Sequence, residues 1–117
     1  MKIIYIAGPL RASTAWATEK NIRVAEDYGL IVANLGLVPL IPHSMYRFFS
    51  GAKNDRYWLA ATVQLLQRCD AVLMLPHWNE SEGSKAEFAE ASRINLPVFF
   101  CDHPELARLK DYADANL

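Results

Sequence analysis

Short apolar runs alternate with longer segments of helical periodicity, and this alternation is the feature that most constrains the fold. The apolar runs are rich in residues that favour strands and occur at 2–7, 37–41, 71–75 and 98–101. Helical patterns follow them at 15–35, 55–68, 84–95 and 103–116, and loops are predicted at 42–53 and 76–82. Strands and helices in this order predict a three-layer α/β/α domain, with helices on both faces of a parallel sheet.

Length and charge narrow the class of protein. A chain of 117 residues fits one domain, which we assign to residues 1–117. Its 12 basic and 13 acidic side chains give a net charge of −1, whereas binding a nucleic-acid polymer through its phosphates needs a basic excess. No apolar stretch is long enough for a membrane span or a leader, and two cysteines are too few for a disulfide scaffold. We therefore expect a cytoplasmic protein that binds neither membranes nor nucleic-acid polymers.

The polar segments that follow the first three strands are predicted to meet. In a parallel sheet of this kind, ligands bind outside the carboxyl ends of the strands. Residues 8–11, 42–46 and 76–87 follow the first, second and third strands in turn. The sequence therefore predicts a binding site at one edge of the sheet, formed by these three segments.

The segment after the third strand carries the most groups suited to a ligand. Gly83 and Ser84 place backbone N–H groups at a helix N-terminus, where an anion is favoured, and Ser81 adds a hydroxyl group. Glu87 lies one turn into the helix and can point back towards the same edge. Spacing alone favours a simpler interpretation, in which Ser84 caps the helix and Glu87 completes a capping box.

The turn after the first strand is the second candidate. Gly8 and Pro9 end the strand, and a glycine there lets a ligand approach the backbone closely. The guanidinium of Arg11 can bind a phosphate or a carboxylate through two hydrogen bonds. A plain turn with a solvated arginine explains the same residues and is favoured on sequence alone. The single glycine does not make a dinucleotide-binding fingerprint.

Four other positions can be interpreted in more than one way. Tyr5 points either into the core or towards the site, and a loop histidine such as His43 is more often a surface residue. Asp70 precedes the third strand, away from the predicted site, and is interpreted as a structural cap. The His77-Trp78 pair either stacks on a base or covers the edge of the sheet. The histidines lack metal-ligand spacing relative to the cysteines, so we expect no metal.

Three motifs together resemble the nucleoside 2-deoxyribosyltransferase superfamily, over residues 2–100. Residues 5–10 read Tyr-Ile-Ala-Gly-Pro-Leu, residues 65–72 read Leu-Leu-Gln-Arg-Cys-Asp-Ala-Val, and residues 81–87 read Ser-Glu-Gly-Ser-Lys-Ala-Glu. Within the superfamily, the chain is most similar to short phage and bacterial domains of unknown function and to the deoxynucleoside 5′-monophosphate N-glycosidase branch. The fold expected with this resemblance is flavodoxin-like, with four or five strands in the order 2-1-3-4.

The resemblance implies an enzyme that cleaves the N-glycosidic bond of a 2-deoxynucleoside or its 5′-monophosphate, by hydrolysis or base transfer. Glu87 matches the family's nucleophile and Tyr5 the residue that orients it. The remaining matched positions are expected to bind substrate or, in the case of Asp70, to support the site; they are Gly8, Pro9, Arg11, His43, Ser81, Gly83, Trp78 and Asp70. No cofactor is implied. A homo-oligomer, dimer or tetramer, is implied, and the contact is expected at residues 46–49 and at Tyr57, Leu59, Val63 and Leu66.

One departure from the family pattern bears on activity. Active members carry an aspartate that assists the leaving base, and Thr62 stands at that position here. Asp55 lies too far along the helix to replace it without rearrangement. The chain is therefore a slow enzyme, an enzyme that uses Asp55 or His43 instead, or a non-catalytic nucleotide-binding or sensing module. A further alternative, an interaction protein with an empty pocket, is suggested by the aromatic residues at 46–49.

Overall fold

The sheet has four parallel strands. The computed structural model describes the backbone of all 117 residues and the side chains of residues 1–102 and 104–117. The strands are β1 (Ile3–Ala7), β2 (Val38–Leu40), β3 (Ala71–Met74) and β4 (Val98–Phe100). All neighbours pair in parallel, in the order β2-β1-β3-β4. The predicted three-layer, flavodoxin-like fold and its strand order are confirmed.

Five α-helices surround the sheet. They are α1 (Ala15–Asn34), α2 (Pro42–Phe49), α3 (Asp55–Leu66), α4 (Glu82–Arg93) and α5 (His103–Ala115), and a short 3₁₀ turn spans Trp78–Glu80. The predicted loop at 42–53 is wrong, because its first eight residues form α2. Pro42 indicated a loop, but proline is also well suited to the first turn of a helix, and two turns are too few to give clear periodicity. None of the described helices has both the length and the apolar character of a membrane span.

The two faces of the sheet pack against different helices. Ile4 and Ile6 of β1 belong to a core that includes Val32 of α1 and Leu109 of α5. The alternate residues of β1 point to the other face, because successive side chains of a strand project in opposite directions. Tyr5 therefore packs in a second core, with residues of α3 and α4. This alternation brings Tyr5 to the same side of the sheet as Glu87.

Two positions have a packing role that the sequence did not indicate. At Gly8, a Cβ atom would lie 2.7 Å from Cβ of Leu75. The glycine is therefore required by the packing of the chain just after β3 against the end of β1. Leu66 was expected in an oligomer contact, but it is fully buried in the core. A residue at the inner face of α3 has no surface left to offer a partner.

Candidate functional site

A cleft of about 570 Å³ lies at the carboxyl ends of the strands. Its walls come from the turn after β1, the start of α2 after β2, and the segment from the 3₁₀ turn to α4 after β3. The chain leaves β1 for β2 on one side of the sheet and then crosses to β3 on the other side. Such a reversal separates the loops above the sheet and opens a crevice between them. The three segments that the sequence predicts to meet thus line one cleft.

Glu87 and Tyr5 form a pair in this cleft. The hydroxyl group of Tyr5 donates a hydrogen bond to Oε2 of Glu87. Burial raises the pKa of the Glu87 carboxyl to about 7, and the hydrogen bond from Tyr5 acts in the opposite direction. Glu87 also lines the cleft. A carboxylate with little competing hydration therefore faces the space where a ligand can bind.

Thr62 lies beside this pair. Its hydroxyl donates a hydrogen bond of 3.1 Å to the carbonyl oxygen of Leu59, and the residue lines the cleft. Burial and the charge of Glu87 raise the pKa of the Tyr5 phenol well above its usual value, and the neighbouring Thr62 hydroxyl acts in the opposite direction. Tyr5 therefore stays protonated and keeps its role as a donor.

Helix α4 begins earlier than predicted. The cap is Ser81, whose Oγ accepts a 3.3 Å hydrogen bond from the backbone N–H of Ser84. The predicted capping box of Ser84 and Glu87 is wrong, because Ser84 lies inside the first turn, is buried and leaves its Oγ without a partner among the described residues. Two serines occur three positions apart, and the sequence alone does not separate them. As a result, Gly83 belongs to the first turn of α4 and lines the cleft.

Arg11 lines the cleft but is not free. Its guanidinium forms an ion pair with Asp55 and lies 5.9 Å from the ring centre of Tyr46. Asp55, the first residue of α3, is thereby held at the rim and is not among the residues that line the cleft. Among the described residues, Arg11 is the one arginine or lysine of the cleft, whereas Glu80, Glu82 and Glu87 are acidic. The cleft therefore has no surplus of positive charge.

His43 is buried, so the interpretation as a surface residue is wrong. It lies in α2 and is 4% exposed, and its Nε2 atom donates a 3.0 Å hydrogen bond to the carbonyl oxygen of Gly8. Its Nδ1 atom has no partner among the described residues, and burial lowers the pKa of the imidazole. The interpretation failed because it placed the residue in a loop, whereas α2 packs it against the turn after β1.

Trp78 is not among the residues that line the cleft, where an assignment to substrate binding would place it. Its ring packs against Phe88 and Phe100, with centroids 4.9 and 6.0 Å away. The 3₁₀ turn folds the indole back towards β4, and Trp78 covers the edge of the sheet. Trp58 of α3 lines the cleft instead. Its position four residues before Thr62 is the signal that could have found it, because residues one turn apart share a helix face.

His77 and Glu80 form a second pair at the cleft. Nδ1 of His77 donates a 2.6 Å hydrogen bond to Oε2 of Glu80, and both residues line the cleft. His77 has a φ of 64°, which places a side-chain-bearing residue in the left-handed region. Such a conformation is uncommon for residues other than glycine, and histidine is among the side chains that adopt it more readily. From the sequence, His77 was a candidate only as part of the His77-Trp78 pair.

Two further residues hold the framework of the domain, one at the cleft and one far from it. Asn21 of α1 donates a 3.0 Å hydrogen bond from Nδ2 to the carbonyl oxygen of Leu10, and so holds the turn after β1. Asp70 lies at the opposite end of the sheet, where its Oδ2 accepts a 2.8 Å hydrogen bond from the backbone N–H of Ile3. Asp70 thus joins the starts of β3 and β1, far from the cleft.

The fold and the site together define a class of protein. It is a three-layer α/β domain with a ligand-sized cleft at the carboxyl edge of a parallel sheet and a half-buried, tyrosine-paired glutamate in that cleft. Residues 2–101 match DUF7768, a domain of unknown function, and the chain belongs to that family. No curated protein matches the chain. The geometry of the site is therefore the basis for any functional proposal.

Proposed function

We propose that this domain cleaves the N-glycosidic bond of a 2-deoxynucleoside or its 5′-monophosphate, with Glu87 as the nucleophile. The observation that carries the proposal is the Glu87 carboxylate, which lines the cleft, is withdrawn from bulk water and is oriented by the hydroxyl of Tyr5. We further propose kinship with the nucleoside 2-deoxyribosyltransferase superfamily. The strand order and the pairing of Tyr5 with Glu87 support this relationship.

The chemistry needs a carboxylate held at a fixed position. Glycosyl transfer passes through an oxocarbenium-like state, which a nearby anion stabilises and then traps as a covalent intermediate. Glu87 supplies the anion, and the hydrogen bond from Tyr5 favours its ionised form. Water or a second base then releases the sugar from Glu87. The ionised form is the reactive one, so we expect the rate to rise with pH up to about 7.

The charges of the cleft favour an uncharged nucleoside over its monophosphate. A phosphate at the start of α4 would gain from the N–H groups of the first turn and from Ser81. It would also face the carboxylates of Glu80 and Glu82, and Arg11 would first have to leave Asp55. The proposal therefore ranks nucleosides first, and the assay below includes both classes of substrate.

The experiment is a base-release assay by chromatography. Wild type and Glu87→Gln are incubated with a panel of 2-deoxynucleosides and their 5′-monophosphates. We expect free base from the wild type and at least a hundredfold less from the variant. Glu90→Gln is the matched control, because Glu90 lies one turn further along the same helix, bonded to Arg93 and Gln67 outside the cleft. Equal release by wild type and Glu87→Gln, or none from any substrate, would contradict the proposal.

Thr62 favours a second candidate, a non-catalytic nucleotide-binding or sensing module. A threonine hydroxyl beside the Tyr5–Glu87 pair does not protonate a leaving base at neutral pH. This candidate predicts that a nucleoside or monophosphate raises the melting temperature without turnover. It also predicts that Glu87→Gln leaves the shift nearly unchanged. Base release by the wild type would exclude it.

We also propose a cytoplasmic homo-oligomer. Cys69 and Cys101 are both free thiols, which fits a reducing compartment. Four exposed apolar side chains lie at the end of α2 and in the first half of α3, and we term them the aromatic ridge: Phe48, Phe49, Tyr57 and Leu59. Leu59 also lines the cleft, so a second copy that covers the ridge would border the site.

A further inference from the structure

Cleavage of an N-glycosidic bond leaves electrons on a base nitrogen, and a proton delivered there speeds departure. Two residues beside or near the Glu87 pair do not suit this role. Thr62 has an alcohol hydrogen that is directed at the carbonyl oxygen of Leu59. Asp55 is held in an ion pair with Arg11 and does not line the cleft. The proton must come from another group.

His43 does not suit the role either. Its Nε2–H is used in the hydrogen bond to the carbonyl oxygen of Gly8. Its other nitrogen, Nδ1, is closed to solvent, and burial disfavours a second proton on the ring. A proton donor must also be recharged from water after each turnover, and this nitrogen has no contact with water.

His77 meets these requirements. It lines the same cleft as Glu87, and its side chain is 76% exposed, so protons exchange readily with solvent. Nδ1 donates to the Glu80 carboxylate, which leaves Nε2 as the ring nitrogen without a partner among the described residues. A carboxylate bonded to Nδ1 orients the ring and offsets the charge of the imidazolium form.

We propose that His77, oriented by Glu80, is the proton donor to the leaving base, in place of the acid that Thr62 cannot supply. This inference rests on the proposed glycosidase function. Glu80 acts through His77 and is therefore a positioning residue.

The sugar passes from the base to Glu87 and then to water in two steps. The bond between C1′ and the base nitrogen breaks as the bond between C1′ and a Glu87 oxygen forms. The electron pair of the broken bond goes to the base nitrogen, which takes the proton from Nε2 of His77. In the second step Nε2 takes a proton from water, the water oxygen bonds to C1′, and Glu87 leaves as a carboxylate. The products are the free base and 2-deoxyribose.

The test uses leaving groups that differ in their need for a proton. His77→Asn removes the titrating ring, and asparagine tolerates the left-handed conformation, so the turn keeps its shape. On the 2-deoxynucleoside that wild type cleaves fastest, we expect a loss of about 10²–10⁴-fold in kcat/KM. On 4-nitrophenyl 2-deoxyribofuranoside, whose phenolate leaves without a proton, we expect less than a tenfold loss. Glu80→Gln is expected to show the same selectivity with a smaller loss.

The outcomes separate this inference from the proposed function. If His77→Asn cleaves the nucleoside as fast as wild type, the role of His77 is refuted while the glycosidase function stands. Equal losses on both substrates mean that His77 acts through folding or binding, which also overturns the inference. If wild type cleaves no nucleoside, the proposed function fails and the inference fails with it. Circular dichroism of both variants checks that the fold is intact.

Discussion

Glu87 combines two environments that few surface carboxylates share. It faces a cleft, yet its surroundings are dry enough to raise the pKa of its carboxyl to about 7. Tyr5, a fully buried strand residue, donates the hydrogen bond that opposes this rise. The pKa of the Glu87 carboxyl therefore reports directly on the environment of the site.

The first prediction concerns stability and pH. The folded state holds the Glu87 proton up to about pH 7, whereas a free glutamate loses it near pH 4.5. Folded molecules therefore bind more protons between these values, and this contribution to stability is lost as pH rises through the window. Over the full window it amounts to about 3 kcal/mol. Glu87→Gln lacks this pH-dependent contribution. In urea unfolding, its free energy of unfolding should therefore rise relative to that of the wild type from pH 5 to pH 8.

The comparison with Glu90→Gln controls for other titrating groups, since Glu90 lies outside the cleft. A stability difference between Glu87→Gln and wild type that stays constant with pH would contradict the raised pKa.

The second prediction concerns the partner of Glu87. Tyr5→Phe keeps the ring in the core and removes the donated hydrogen bond, which lowers the pKa of the Glu87 carboxyl. The pKa of Glu87 should then rise further above its present value, and NMR of the carboxyl carbon would measure it. Tyr28→Phe is the control, because Tyr28 packs on the opposite face of the sheet. An unchanged or lower pKa in Tyr5→Phe would show that the hydrogen bond is not formed in solution.

Among the elements, α4 contributes most to the site, and its first turn contains a glycine that packing does not require. A Cβ atom at Gly83 would lie 3.9 Å from Cδ2 of Leu59, an ordinary contact. Glycine nonetheless costs up to about 1 kcal/mol relative to alanine in a helix. The missing side chain leaves the cleft wall open, which suggests that a ligand uses the space.

The third prediction follows from this contrast. Gly83→Ala should leave the melting temperature unchanged or slightly higher, while KM in the base-release assay rises at least tenfold. Gly8→Ala should behave in the opposite way and lose about 1–3 kcal/mol of stability, because its new Cβ would lie 2.7 Å from Cβ of Leu75. Calorimetry and the assay together measure both effects. A Gly83→Ala variant with normal KM would place the ligand away from this wall.

Helix α2 was not predicted, and it shows why a sequence pattern does not reveal every element. Long segments such as α1 contain several turns, so their periodicity is visible in the sequence, and the side chain of Thr14 caps α1. Helix α2 is fixed by a distant contact, in which Arg47 binds Glu19 and Glu26 of α1. No local pattern reveals a contact across more than twenty residues. The error at His43 follows from the error at α2.

At the scale of the whole molecule, the predicted edge of the sheet and the observed cleft agree. The apolar runs predicted the strands, and a parallel topology predicted that the segments after them lie together. The pairs within the cleft could not be derived in the same way. The pairing of Tyr5 with Glu87 rested on a resemblance, and that of His77 with Glu80 depends on a 3₁₀ turn whose backbone conformation the sequence does not specify.

The fourth prediction concerns assembly. The aromatic ridge exposes Phe48 by 82% and Phe49 by 50%, so a second copy that covers it would gain apolar burial. Sedimentation should show a dimer or tetramer at micromolar concentration for the wild type. Phe48→Glu should shift the equilibrium to monomer without loss of fold, because the side chain has little packing to lose. A monomeric wild type would remove the proposed oligomer.

Tyr5 belongs to the interior of the domain and to its chemistry at once. Its ring is part of the packing between the sheet and helices α3 and α4, while its hydroxyl group partly offsets the rise in the pKa of Glu87 that burial causes. Repacking beneath the sheet, even at residues with no view of the ligand, will move that oxygen. Substitutions that raise the thermal stability of this core are therefore expected to shift the pH range in which the protein functions as well.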